Sequence, residues 1–182
     1  MVVRIRVTTR EDTRAIATVR IETWRKAYAG LVAQDVLDRM DVDREALRRA
    51  ELWDDYHGDP RGAEVLAEVD GELAGWALFG PSIDADLPDD GQVYAIYALP
   101  AFWSAGVGHA LMIDAEARLR AAGFTRAHLW VLEGNDRAAF FYERHGWRED
   151  GIFRDDPELV GGDPPRALRD IRRVRNLLEQ PV

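Results

Sequence analysis

VYAIYALPAFWSAGVGHALM, residues 93–112, decides how this chain is read. Residues 93–99 are apolar throughout, as expected of a strand buried on both faces. Pro100 closes that strand, a short loop holds Gly106-Val107-Gly108, and the spacing of Val107, Leu111, Ala115 and Leu119 predicts an amphipathic helix that stops at Gly123. A helix N-terminus presents unpaired backbone N–H groups and the positive end of the macrodipole, so it attracts anions. Glycines there let a phosphate approach the main chain closely. The Gly-X-Gly pattern alone fits a plain strand–helix turn equally well. No Gly-Lys-Ser/Thr follows, which excludes a Walker loop, and the third glycine slot of a dinucleotide fingerprint falls on Leu111.

On the N-terminal side, VVRIRV (2–7) alternates at period two and predicts a first strand. Thr9 or Asp12 is placed to cap a helix with Ile16, Val19, Thr23, Trp24, Ala27 and Tyr28 on one face. Residues 34–57 continue as broken amphipathic helix. EVLAEV (64–69), the turn at Asp70-Gly71-Glu72 and LAGWALFG (73–80) form a hairpin by composition and turn chemistry, followed by a loop over 81–91. On the C-terminal side, AHLWVL (127–132) is a second buried-type strand, 136–145 a short helix ended by Gly146, and 147–153 a candidate strand. The last segment stays open between a helix carrying Leu168, Ile171, Val174 and Leu178 and a closing edge strand at about 167–175. The alternation predicts one α/β domain of the α+β type over 1–182, a mixed sheet with helices on both faces.

Composition bounds the function. A length of 182 residues, 47% apolar and 31% charged, suits one soluble core rather than a disordered or membrane-spanning chain. Lys+Arg minus Asp+Glu is 24 − 33 = −9, which disfavours a nucleic-acid reader. The absence of cysteine excludes disulfides, thiolate metal sites and cysteine nucleophiles, and fits a reducing cytoplasm. The first residues lack a secretory apolar core, so the expected location is cytoplasmic, with no membrane partner. His57, His109, His128 and His145 have no metal-ligand spacing and none is assigned a metal. Asp84, Asp86, Asp89 and Asp90 fit a solvated turn better than a cation-recruiting mouth.

A second informative run is HLWVLEGNDRAAFFYERHGWRE, 128–149. Asn135 stands at a helix entry, and Tyr142 lies seven residues on, two turns along the same face. Separately, Asn135 reads as an N-cap and Tyr142 as the edge of a core.

Together the two runs, with the opening IRVTTRED…WRKAYAGL, resemble the GCN5-related N-acetyltransferases, which move acetyl from acetyl-CoA to an amine. N135DRAAFFYERHGW147 is similar to that family's closing pattern. The resemblance implies a mostly antiparallel sheet of six or seven strands, with two central parallel strands, here 93–99 and 127–132, splayed for acyl-CoA. It carries main-chain contacts to the pantetheine arm onto Ile96, Tyr97 and Ala98, and the pyrophosphate loop onto Ser104, Ala105, Gly106, Val107, Gly108 and His109. Asn135 matches the family's cofactor-binding asparagine, Tyr142 its general acid, and the helix bearing Trp24 and Tyr28 borders the acceptor. An amide near Ala98 would polarise the thioester carbonyl. Glu133, after the second strand, is the candidate general base, with water as the alternative.

The chain differs from the family where Arg or Gln usually opens the loop, here Trp103, and before the first glycine, here Ala105. Losing one or two cationic contacts costs about 1–3 kcal/mol, so an arginine restored at 103 is expected to tighten CoA binding. The expected partners are acetyl-CoA, as co-substrate and without a metal, and an unidentified primary amine, acting on a monomer or a homodimer. The competing readings are a non-catalytic acyl-CoA sensor or scaffold, and a nucleotide-binding module using the same loop.

Overall fold

In the computed structural model, which describes residues 2–161 and 166–179 with side chains for 2–155 and 167–179, each alternating run becomes a strand. β1 (Val3–Val7) lies antiparallel to β2 (Ala63–Val69), which turns into β3 (Glu72–Pro81). Asp70 and Gly71 both take positive φ, 51° and 90°, so the expected Asp-Gly turn closes that hairpin. β4 (Gly91–Ala98) follows on β3, then come β5 (Arg126–Leu132), β6 (Arg148–Gly161) and β7 (Arg166–Asn176). The seven strands lie in the order β1-β2-β3-β4-β5-β7-β6, all antiparallel except β4 with β5.

The helices are α1 (Thr13–Ala27), α2 (Gln34–Asp38), α3 (Val42–Glu51), α4 (Trp53–Tyr56), α5 (Val107–Ala121) and α6 (Asp136–Arg144). Thr9 and Asp12 share the entry to α1, because the Asp12 carboxylate accepts from the Thr9 N–H at 2.8 Å while Arg6 holds it from β1 at 2.7 Å. Ile16 and Val19 of α1 pack on Leu66 and Trp76 on one sheet face. Val107, Leu111, Ala115 and Leu119 of α5 fill the other face with Val65, Ala77, Phe79 and Leu129. Each such fully buried side chain stabilises the fold by roughly 1.5–3 kcal/mol, so two cores of this kind hold the sheet from both sides. Among the described residues no helix is long and apolar enough to cross a membrane.

The C-terminal segment settles as strand, but not as an edge. β7 lies between β5 and β6, and β6 forms the rim. Its buried Arg172 and Arg173 explain why local pattern misleads there. Arg172 pairs with Asp86 at 2.5 Å and Asp150 at 2.8 Å, and Arg173 with Glu149 at 2.6 Å. These charges are neutralised by partners far along the chain, so an interior strand reads as a polar one. The acidic loop before β4 is likewise engaged: Asp84 accepts from His128 Nε2 at 2.9 Å and Trp130 Nε1 at 2.7 Å, and Asp90 from Arg126 at 2.8 Å. These bonds fasten the loop against β5. The ends of the expected 1–182 domain, Met1 and residues 180–182, lie outside the described residues, as do 162–165.

Candidate active site

β4 and β5 run parallel but pair only at Gly91↔Ala127 and Gln92↔His128, then diverge. Leu99 N–H bonds across to the Ala74 carbonyl of β3 at 2.8 Å. Antiparallel bonding alternates along a strand, so Tyr97 also faces β3 while Ile96 and Ala98 direct their N–H and C=O groups into the split. The Ala98 carbonyl already accepts from Trp103 Nε1 at 2.8 Å and Thr23 Oγ1 at 3.1 Å. That leaves the Ala98 N–H and both Ile96 peptide groups for an extended ligand.

The mouth of the split is the start of α5. Gly106 caps it with φ of 83°, and the first helical bond runs from Ala110 N to Gly106 O at 2.9 Å. The N–H groups of Val107, Gly108 and His109 therefore have no partner within the helix. A Cβ at Gly108 would stand 3.3 Å from the Phe141 ring of α6, a tight contact that the ring would have to yield to by a few tenths of an ångström. Such a cradle of amides fits a pyrophosphate. Arg137 of α6 lies with its guanidinium 4.1 Å over the Trp103 ring, which brings a cation to a loop that has none of its own.

At the inner end three tyrosines converge. Tyr97 accepts from Trp24 Nε1 at 3.0 Å, and Trp24 meets Tyr28 edge-on at 4.8 Å. Burial pushes the Tyr28 hydroxyl well above the ordinary phenol range, and the neighbouring Tyr97 and Tyr142 add to this. Tyr142 is 8% exposed, and burial, helped by Tyr97, raises its pKa likewise, with Arg173 opposing. Tyr94, on β4 with Tyr97, is pushed up to about 12 by burial.

Of the residues singled out from the sequence, Ile96, Tyr97, Ala98, Ser104, Gly106, Gly108, His109, Asn135, Tyr142 and Tyr28 line one cleft of about 610 Å³. Ala105 and Val107 are off its wall; Val107 is buried in the core beneath and offers only its amide. Trp24 stands behind Tyr28 and Tyr97, and Glu133 is exposed beyond the end of β5, outside the lining. Asn135 does cap α6, accepting from Ala138 N at 3.2 Å, and its amide hydrogens remain for a ligand. Arg137 and His145 also line the cleft, a role no local pattern signals because their partners, Trp103 and His109, lie far along the chain.

The acetyltransferase (GNAT) family profile matches residues 10–147. The uncharacterized N-acetyltransferase YuaI of Bacillus subtilis (strain 168) is 28% identical over 87% of each chain. Two solved structures share the fold. The PaiA N-acetyltransferase of Thermoplasma acidophilum, in complex with coenzyme A, has a TM-score of 0.74 at 18% identity and covers 97% of this chain and 99% of its own. YncA, a putative acetyltransferase from Salmonella typhimurium with acetyl-CoA, has a TM-score of 0.69 at 17% identity over 100% and 98%. The chain belongs to the acetyltransferase (GNAT) family, and with it to the acyl-CoA-dependent acetyltransferases.

Proposed function

We propose that the protein transfers acetyl from acetyl-CoA to a primary amine by direct attack, with both substrates bound together. The observation that carries this is the interior split, where the Ile96 peptide groups and the Ala98 N–H face the gap between the amide cradle of α5 and Tyr142. In this reading the cradle takes the pyrophosphate, the Ile96 peptide and the Asn135 amide take the pantetheine arm, and the Ala98 N–H donates to the thioester carbonyl. As the amine nitrogen bonds the carbonyl carbon, negative charge grows on that oxygen, where a fixed donor acts most strongly. The C–S bond then breaks.

Tyr142 supplies the proton to the departing sulfur. Its raised pKa keeps the phenol protonated, and the sulfur leaves into the same dry surroundings, which raise a thiolate's proton affinity as they raise a phenolate's. Thr23, Ala27, Tyr28 and Trp130 bound the acceptor side. The amine loses its own proton to water, and Glu133, exposed past β5, receives it only through solvent.

The test is a panel of amines with acetyl-CoA, read as free thiol, beside thermal shifts with CoA and with ATP. A ligand that binds only the native state at a hundredfold excess over Kd adds about 2.7 kcal/mol, so CoA shifts the melting temperature and ATP does not. Thiol release with at least one amine is expected. A CoA shift with no turnover would instead favour an acyl-CoA sensor, and a shift with ATP alone a nucleotide module.

A further inference from the structure

His109 of α5 and His145, which caps the C-terminus of α6, meet ring to ring at the lip of the cleft. His109 Nδ1 lies 2.9 Å from His145 Nε2, and His145 Nδ1 lies 2.8 Å from the Phe141 carbonyl. A carbonyl only accepts, so His145 Nδ1 carries a hydrogen in every bonded state of the pair. When the pair holds no extra proton, His145 Nε2 is bare, and the contact needs the hydrogen on His109 Nδ1. His109 Nε2, at the opposite edge of an exposed ring, is then a bare lone pair.

One added proton reverses this. If the charge sits on His109, both its nitrogens carry hydrogen. If it sits on His145, that ring donates through Nε2 to His109 Nδ1, and the hydrogen of His109 moves to Nε2. Either way His109 Nε2 changes from acceptor to donor. The charged groups around the pair are Arg144 on α6 and Glu116 on α5, with Arg137 also on the cleft wall. Burial holds His145 below the usual histidine range, with His109 and Arg144 adding and the Phe141 carbonyl and Glu116 opposing, so His145 is the disfavoured seat for the charge.

Resting on the cofactor reading above, we propose that His109 Nε2 is a contact for the CoA pyrophosphate, formed only as the His109–His145 pair takes up one proton. A bare imidazole nitrogen repels a phosphate oxygen, whereas an imidazolium N–H makes a short charge-assisted bond to it. The macrodipole at the first turn of α5 opposes the charge until the phosphate arrives. His109 thereby supplies a cation to a loop that carries Trp103 and Ala105 and no charged side chain of its own.

The experiment is calorimetry of CoA binding near pH 8 in two buffers of different ionisation enthalpy, on wild type, His109→Gln and His145→Phe. Wild type takes up a measurable fraction of a proton per CoA bound, and its affinity falls with rising pH by at most tenfold per unit. His109→Gln keeps a donor that does not titrate, so it lacks that uptake and that slope. His145→Phe releases the tautomer of His109, whose neutral ring can then offer Nε2–H, and uptake falls well below wild type while CoA still binds. The 3′-phosphate of CoA titrates near neutrality, but it is common to all three proteins and cancels in the differences. Equal uptake in wild type and His109→Gln overturns the proposal. A difference that vanishes with dephospho-CoA moves the contact to the 3′-phosphate and overturns the pyrophosphate assignment. Failure of wild type to bind CoA at all overturns the cofactor reading beneath it.

Discussion

The indole N–H of Trp103 reaches back across the loop to the Ala98 carbonyl at 2.8 Å, on the edge of β4 that faces the split. With Arg137 stacked on its other side, Trp103 joins strand, loop and α6. This reverses the expectation that an arginine at 103 would tighten CoA binding. Trp103→Arg removes the ring beneath Arg137 and sets two guanidinium groups side by side. CoA affinity is expected to fall about tenfold, with lost cation–π and hydrogen-bond contacts of about 0.5–1.5 kcal/mol each. Trp103→Phe, which keeps a ring, should lose less. Calorimetric titration checks both, and tighter binding by the arginine variant would show that phosphate attraction outweighs the lost scaffold.

Tyr142→Phe removes only a hydroxyl from a buried ring. Loss of a general acid typically costs about 10²–10⁴ in rate, so kcat should drop by that order while CoA affinity stays level. Because burial raises this phenol's pKa, it keeps its proton through pH 10, and no basic limb in kcat should arise from it. Rate profiles from pH 6 to 10 should rise as the amine deprotonates, with one shape in both proteins. A wild-type decline below pH 10 that Phe abolishes would contradict this.

Gly75 lies where β3 passes under α5. A Cβ there would stand 2.8 Å from the Tyr97 carbonyl, 2.8 Å from Val107 Cγ1 and 2.9 Å from Leu111 Cδ1. Gly75→Ala should therefore destabilise by about 1–3 kcal/mol, the usual range for overpacking. Val107 opens α5, so the same clash should displace the amide cradle and weaken CoA binding. Urea midpoints and CoA titration measured together test the link, and a stability loss with unchanged affinity would break it.

Asp12 is held at about 2, below its ordinary 3.8, chiefly by Arg6, with the Thr9 N–H assisting against burial. A carboxylate whose folded pKa is depressed stabilises the fold above its unfolded value and loses that contribution as pH falls toward the folded one. Discounted for partial solvent exposure, the term is on the order of 1–2 kcal/mol. Asp12→Asn should show that deficit in urea unfolding at pH 7, and the gap to wild type should narrow between pH 4 and 2. A gap constant over that range would assign the loss to the cap geometry rather than to charge.

Much of this fold was legible because its signals are local. The Asp70-Gly71 turn, the apolar 93–99 run and the Gly123 stop each act through neighbours a few residues away, and each stands where its pattern predicts. What escaped is long-range. The place of β7 depends on Arg172 finding Asp86 across 86 residues, and the cleft's cations depend on Arg137 finding Trp103. Asn135 and Tyr142, two turns apart on α6, were visible together, whereas the pairing of His109 with His145 needs two helices to be packed before it exists.

The divergence of β4 and β5 after Gln92 and His128 has a further consequence. Sheets usually keep their unfinished rungs on an outer rim, guarded by charge or by short strands; here an open ladder lies in the middle, between β1–β4 on one side and β5, β7 and β6 on the other. A pantetheine arm carries amides of its own and can enter as a strand does when a peptide augments a sheet. On that view the co-substrate is a removable eighth strand. While it is seated it completes the ladder between β4 and β5, and each time spent CoA departs those rungs stand open again, with the shared core beneath α5 still joining both wings.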